Sequence, residues 1–336
     1  MSFDRIVGQQ SLKKRMGKEI MARRGSTYIV SGASGCGKTL IAGELAAGFL
    51  CKDPSENGAC GKCDCCRYLE NETNPDLLRV GLGKNETIIP VDRIREKVVA
   101  DYDMTPSVSP VRVNIIDGDH LGIESQNALL KSIEEPPADV IFIFEVTNTE
   151  TLLPTILSRA VEYKVASYSS DEVKEIVKAT CENVPEDELG LLADFADGIP
   201  GRAIRIATDE SFINLKDDIV DMMLGMPGRS ITDAIRNADE IFGEYKDRYL
   251  EPVTLMLWII GDLMRLESDI DCESIRFTKD RIRLEKFIVS HKNIGIKEFG
   301  RVIEAINGFI ADRKVNINYE GSVTAMTLRI YKEFNK

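Results

Sequence analysis

Three short runs rich in β-branched and aromatic residues mark the first half of the chain: Thr27-Tyr28-Ile29-Val30, Val111-Arg112-Val113-Asn114-Ile115-Ile116 and Val140-Ile141-Phe142-Ile143-Phe144. Helical patterns lie between them, and this alternation predicts a parallel sheet covered by helices. Pro106, Pro110, Pro136-Pro137 and Pro154 punctuate the connections. From about Ser167 the pattern becomes helical throughout. Ser169-Ser170-Asp171-Glu172 caps one helix, Pro185-Glu186-Asp187-Glu188 opens another, and Gly198-Ile199-Pro200-Gly201 leads into a third. Beyond Thr208 the helical pattern continues, and no proline follows Pro252, which suits long packed helices. Around Leu255, Trp258, Ile259 and Leu263 the chain is apolar on nearly every side, which predicts burial among other helices, within the chain or between subunits. The sequence has no internal repeat and no low-complexity stretch.

With 336 residues, 43% hydrophobic and 29% charged, the chain has material for two or three domains with real cores. Its start is charged and lacks an apolar segment, and the run Val253 to Ile260 is too short to span a bilayer and is closed off by Asp262. A cytoplasmic protein without membrane contact is expected. Eight cysteines in a chain of this size, four of them at metal-ligand spacing, point to a reducing compartment rather than a disulfide framework. A net charge of −12 argues against a free-standing basic DNA binder and leaves nucleic acid as a partner shared within an assembly.

The first chemical motif is Gly32-Ala33-Ser34-Gly35-Cys36-Gly37-Lys38-Thr39, a complete phosphate-binding loop. Its glycines, Gly32, Gly35 and Gly37, let successive backbone N–H groups, that of Ser34 included, turn around phosphate oxygens; Lys38 is expected to reach the β- and γ-phosphates and Thr39 to hold Mg²⁺. A strand precedes the loop and the helical segment Leu40 to Leu45 follows it, which is the context such a loop needs. Asn114-Ile115-Ile116-Asp117 fits the acidic strand end of the same ATPases, with Asp117 binding Mg²⁺ directly or through water. The next place, where an efficient hydrolase carries a water-orienting glutamate, holds Gly118. Losing such a base costs a factor of about 10²–10⁴, so weak or absent hydrolysis is expected. Asp119 could substitute if the strand continues, and a polar turn including His120 is the alternative.

Directly behind the loop, Cys51, Cys60, Cys63 and Cys66 form a C-x8-C-x2-C-x2-C pattern that can close a tetrahedral Zn²⁺ site. Cys65 beside Cys66 leaves the fourth ligand open between the two, while Cys181 and Cys272 fit ordinary core positions.

Asn127-Ala128-Leu129-Leu130-Lys131-Ser132-Ile133-Glu134-Glu135-Pro136-Pro137, followed by Leu153-Pro154-Thr155-Ile156-Leu157-Ser158-Arg159, resembles the AAA+ subunits of the bacterial sliding-clamp loader, the gamma/tau and delta-prime subunits of DNA polymerase III. Val7-Gly8-Gln9-Gln10, the cysteine insert, Asn74-Pro75-Asp76 and Gly201-Arg202-Ala203 extend the resemblance over the whole length. Total length, the degraded acidic motif and the short ending look most like delta-prime; the intact phosphate loop and Ala160 after Ser158-Arg159 depart from that subunit's pattern. The resemblance implies an α/β AAA+ P-loop core with a zinc insert (residues 1–166, insert about 51–66), a small helical lid (167–208) and an all-α collar (209–336). It implies Arg159 as a finger acting in trans on a neighbour's γ-phosphate, a local salt bridge being the alternative. Arg202 would sense this subunit's own γ-phosphate, and Thr147 or Asn148 would be the polar sensor. Arg93 and Arg95 are candidates for DNA phosphate contacts, or simply a solvated helix face.

Three functions follow. The leading one is a clamp-loader subunit of delta-prime type that binds ATP with Mg²⁺, carries Zn²⁺, and works with delta, gamma/tau, the sliding clamp and primer-template DNA. The second is a fully active gamma/tau-type motor, and the third an AAA+ recombination or helicase-loading factor, against which the cysteine insert and Glu134-Glu135-Pro136-Pro137 speak.

Overall fold

The carboxyl ends of five parallel strands set out the chemistry of this chain. In the computed structural model, which describes residues 2–22, 27–99, 104–137, 139–182, 184–315 and 317–336, these are β1 (Thr27–Ser31), β2 (Leu77–Val80), β3 (Arg112–Asp117), β4 (Val140–Val146) and β5 (Ala160–Lys164). They lie in the order β2-β3-β4-β1-β5, with every pairing parallel. The helices of this half are α1 (Gln10–Ala22), α2 (Lys38–Leu50), α3 (Asp64–Glu70), α4 (Val91–Ile94, continued by a π turn to Val99), α5 (Ile123–Glu134) and α6 (Pro154–Leu157). Helices α7 (Ser170–Thr180), α8 (Leu189–Ala196), α9 (Pro200–Thr208), α10 (Glu210–Gly225), α11 (Ile231–Glu244), α12 (Leu250–Ser268), α13 (Arg281–Ser290), α14 (Ile296–Lys314) and α15 (Tyr319–Phe334) follow. The chain divides into two compact units, Met1–Ile176 with Ala196–Arg202, and Val177–Phe195 with Ala203–Lys336.

In the first unit, alternation along the strands sends Phe142, Phe144 and Val146 of β4 to one face, where they pack with Ile116, with Leu129 and Ile133 of α5, and with Ile94 and Val98. Tyr28, on the opposite face of β1, meets Phe49 of α2 and Tyr163 of β5 at ring distances of 5.2 and 5.9 Å. The sheet is thus buried on both sides, which is why its central strands carry apolar residues on both faces. Arg93 is not free for phosphate: its guanidinium is forked onto Glu86, both contacts at 2.7 Å, and also donates to the Gly81 carbonyl. Arg95 lies 3.4 Å from Asp92.

Asn74-Pro75-Asp76 turns out to be a structural bracket. The Asp76 carboxylate, fully buried, accepts from the backbone N–H groups of Ser107, Val108 and Ser109 at 2.6, 2.8 and 2.7 Å. Asn74 donates to the Cys65 carbonyl and so ties the same loop to α3. Burial pushes the Asp76 pKa up, but the three N–H donors outweigh it and hold the carboxyl below its ordinary value. A depressed folded-state pKa means that this stabilisation is complete above the ordinary aspartate range and is lost as pH falls through the folded value. Asp76→Ala, which strands three donors, is expected to cost about 3 kcal/mol at pH 7. Urea unfolding followed by circular dichroism should also show a smaller stability loss for the variant than for wild type between pH 5 and pH 3.

The second unit is all helical. Leu255, Met256, Ile259, Ile260 and Leu263 of α12 are completely buried, as the all-round apolar pattern requires. Asp262, equally buried among them, accepts from the backbone N–H groups of Arg276 and Phe277 at 2.8 and 2.9 Å and so fixes the segment leading to α13. Among the described residues no helix is long and apolar enough to cross a membrane.

Candidate nucleotide site and metal centre

Strand β1 ends at Ser31 and the chain turns at once through Gly32 to Gly37 into α2. Gly35 and Gly37 have φ of +84° and +90°, values that suit glycine and strain other residues. Lys38 folds back over the loop, its Nζ donating to the carbonyls of Gly32 at 2.7 Å and Ala33 at 3.2 Å and lying 3.4 Å from Thr147 Oγ1. The cation therefore stands inside the loop, at the place where phosphate charge would be met. Gly201, at the start of α9, donates its N–H to the Gly35 carbonyl at 2.9 Å. A Cβ on Gly201 would fall 2.7 Å from Gly35 Cα, so this approach needs glycine on both sides. Arg202, the next residue, is exposed beside the loop.

Of the two sensor candidates, both of which line the cleft beside the loop, Thr147 reaches Lys38. Its hydroxyl donates to Asp119 Oδ2 at 2.6 Å and lies within reach of Lys38, while Asn148 caps the following 3₁₀ turn by accepting from Glu150 N–H. Strand β3 stops at Asp117, and Asp119 sits in a 3₁₀ turn rather than on the strand face. Both its oxygens accept from Thr147 N–H, at 2.7 and 2.9 Å, so Asp119 orders Thr147. Asp117 Oδ2 lies 2.7 Å from His120 Nδ1. The missing glutamate has a steric counterpart, since a Cβ on Gly118 would come within 2.5 Å of Val146 Cγ1 and 3.3 Å of the Glu145 carbonyl. Position 118 has no room for a side chain unless β4 changes.

One residue of the site escaped sequence reading. Glu145, next to last in β4, accepts from Thr39 Oγ1 at 2.7 Å, and its other oxygen lies 3.8 Å from Arg79 Nη1. The apolar run in the sequence ends at Phe144, and no spacing rule links β4 to the phosphate loop. On the other side of the loop a cleft of about 290 Å³, lined by Gly32, Cys36, Asn148, Val165 and Gly198, has room for further parts of a nucleotide.

Arg159 follows α6, with Nη2 3.1 Å from Glu134 Oε1 and Nη1 donating to the Thr155 carbonyl at 3.1 Å. Both charged side chains are close to half exposed, 41% and 45%, so water screens the pair.

The four cysteines converge. Sulfur–sulfur distances are 3.9 Å for Cys51–Cys63 and Cys60–Cys66, 3.5 Å for Cys63–Cys66 and 3.7 Å for Cys51–Cys66, and all four sulfurs lie within 4.8 Å of one another. A tetrahedron with Zn–S bonds of about 2.3 Å has edges of about 3.8 Å, so the donor set and its spacing fit Zn²⁺. Gly61, with φ of +70°, permits the tight turn after Cys60, whose sulfur accepts from Lys62 and Cys63 N–H at 3.4 Å. Cys65 points elsewhere and donates to the Val108 carbonyl at 3.2 Å, leaving Cys66 as the fourth donor. At Cys63 burial is outweighed by N–H groups of Lys52 and Cys66 and by neighbouring thiols, which bring its pKa down to about 6. Burial pushes Cys51 and Cys66 up. A thiolate is thus available near neutral pH to capture a cation that displaces the remaining protons.

A glycine-rich phosphate loop at the carboxyl end of a parallel strand, with an acidic strand end beside it, defines a P-loop nucleotide-binding α/β protein. Residues 8–169 match the family described as DNA polymerase III, delta subunit, and the resemblance to the AAA+ subunits of the clamp loader is borne out. The chain is 30% identical over 239 residues to DNA polymerase III subunit gamma of Buchnera aphidicola from Schizaphis graminum, covering 68% of this chain and 64% of that protein. It is likewise 30% identical over 199 residues to DNA polymerase III subunit delta′ of Pseudomonas aeruginosa, covering 59% and 60%. The solved structure of a gamma subunit-related protein of DNA polymerase III from Thermotoga maritima aligns over 97% of this chain and 100% of that one, at 18% identity and a TM-score of 0.43. The chain therefore spans just under two thirds of the length of either curated relative.

Proposed function

We propose that this chain is a clamp-loader AAA+ subunit that binds ATP with Mg²⁺, hydrolyses it slowly, and donates Arg159 to the nucleotide of a neighbouring subunit during loading of the sliding clamp onto primer-template DNA. The observation that carries the proposal is the phosphate loop with Lys38 seated inside it and Thr147 against the lysine. Lys38 and the loop amides would hold the phosphates, Thr39 and Asp117 would meet Mg²⁺, and Arg202 would report the γ-phosphate to residues 167–208, which we take as the lid. Residues 209–336 would serve as the collar through which delta and gamma/tau subunits assemble. The cysteine cluster would hold a structural Zn²⁺ through four protein donors, leaving no open position for chemistry. Slow turnover follows from Gly118, and Asp119, the carboxylate that follows it, already has both oxygens engaged by Thr147.

Calorimetry with ATP and Mg²⁺, alongside a separate turnover assay, tests this. Lys38→Ala is expected to weaken ATP binding by about 10- to 100-fold, the worth of a charge-assisted contact to phosphate. Wild type should bind yet turn over far below a competent motor. Fast turnover by the isolated chain would favour the gamma/tau-type function instead.

A further inference from the structure

We propose that Glu145 is a positioning residue of the magnesium site, holding the Thr39 hydroxyl in the orientation that a cation needs. The proposal rests on the nucleotide-binding function above and assigns a role within that site to a residue that no motif marks.

A threonine hydroxyl has one proton and two lone pairs. In this structure the proton goes to Glu145 Oε2 at 2.7 Å, which fixes the rotation about the C–O bond and leaves the lone pairs directed away from the carboxylate. A hard divalent cation takes oxygen ligands in a narrow geometry and gains from a donor that is already oriented. Asp117, the acid expected to bind Mg²⁺, has Oδ2 committed to His120 at 2.7 Å. The register of β3 against β4 pairs Asp117 with Glu145, so both carboxylates stand side by side on the sheet face that α2 covers. Asp117 keeps one oxygen for water or metal, while Glu145 holds the threonine. Arg79, 3.8 Å from Glu145 Oε1, steadies the second oxygen and leaves Oε2 turned to Thr39. The remaining β4 residues are all buried and apolar, and Glu145, whose side chain is 16% exposed, interrupts them where the strand reaches the phosphate loop. A carboxylate that gives up most of its contact with water costs stability unless its partners replace that solvation.

The test uses the full chain and ATP affinity measured by calorimetry in Mg²⁺ and again in EDTA. Wild type, Glu145→Gln, Glu145→Ala and Asp117→Asn are compared, with thermal melting as the folding control. In EDTA the Glu145 variants should bind ATP like wild type and melt within a few degrees of it. The gain in affinity on adding Mg²⁺ should fall about tenfold in Glu145→Ala, and by an intermediate amount in Glu145→Gln, whose amide oxygen still accepts from Thr39. Electron paramagnetic resonance of Mn²⁺ with ATP and protein should show the same order of cation retention without any turnover. An unchanged Mg²⁺ gain in both Glu145 variants, with the gain lost in Asp117→Asn, overturns the proposal. A larger gain in Glu145→Ala also overturns it and makes Glu145 a competitor of the cation for Thr39. Absence of ATP binding by wild type in both conditions overturns the nucleotide function itself and the Glu145 role with it.

Discussion

Purified chain is expected to carry about one Zn²⁺, and stripping it should unfold the segment between α2 and α3. The four sulfurs stand at the edge lengths of a tetrahedral thiolate site, so the folded insert has the geometry that the cation stabilises. Binding free energy at such a site is folding free energy, about 10–16 kcal/mol in isolated zinc-finger peptides at neutral pH. Here the insert is anchored at one end by Cys51, the cap of α2, and at the other by α3, whose Cys65 and Cys66 are buried. Loss of the metal should therefore loosen α3 and the 107–109 loop bracketed by Asp76, lowering the melting temperature by roughly 5–10 °C. Cys66→Ser should lose the zinc and show that shift, whereas Cys65→Ser should keep it. Metal analysis of reduced protein with well under one zinc per chain, or an equal effect of the two substitutions, would contradict the assignment.

The sequence made some of this legible and not the rest, for reasons visible in particular residues. Strands β1, β3 and β4 are central and mostly buried on both faces, so each carries apolar residues on both, broken in β3 by Asn114. Strands β2 and β5 form the two edges, and Leu77-Leu78-Arg79-Val80 and Ala160-Val161-Glu162-Tyr163-Lys164 mix exposed and buried positions over four or five residues. Neither stands out from a loop until its neighbour is known. The phosphate loop and the cysteine set were readable because their geometry is local, with every participant inside residues 32–39 or 51–66. Glu145 and Asp119 were not, because their roles arise from strand register and from a turn that ends β3 at Asp117. Gly118 was recognised as a missing base, but only packing shows that Val146 fills the space a side chain would need.

Arg159→Ala is expected to lower hydrolysis at one neighbouring site of the assembled loader by about 10³-fold. The guanidinium is planar, permanently charged and able to fork onto phosphate oxygens, which a lysine cannot match, so Arg159→Lys should recover little. In the isolated chain Arg159 is held by Glu134 at 3.1 Å and by the Thr155 carbonyl. Exposed pairs of this kind contribute at most about 1 kcal/mol, so a γ-phosphate presented by a neighbour can draw the side chain away at small cost, and the fold should be insensitive to the substitution. Glu134→Ala should leave loader activity within a few-fold of wild type. ATP binding by the Arg159→Ala chain itself should be unchanged, because its own phosphate contacts come from Lys38 and the loop. Lys38→Ala should do the reverse, removing nucleotide from this chain while the neighbouring site still turns over. Reconstitution with partner subunits, clamp and primed DNA reads both variants in one assay. Full activity of the complex carrying Arg159→Ala would leave the contact with Glu134 as a local salt bridge and remove the arginine from the chemistry.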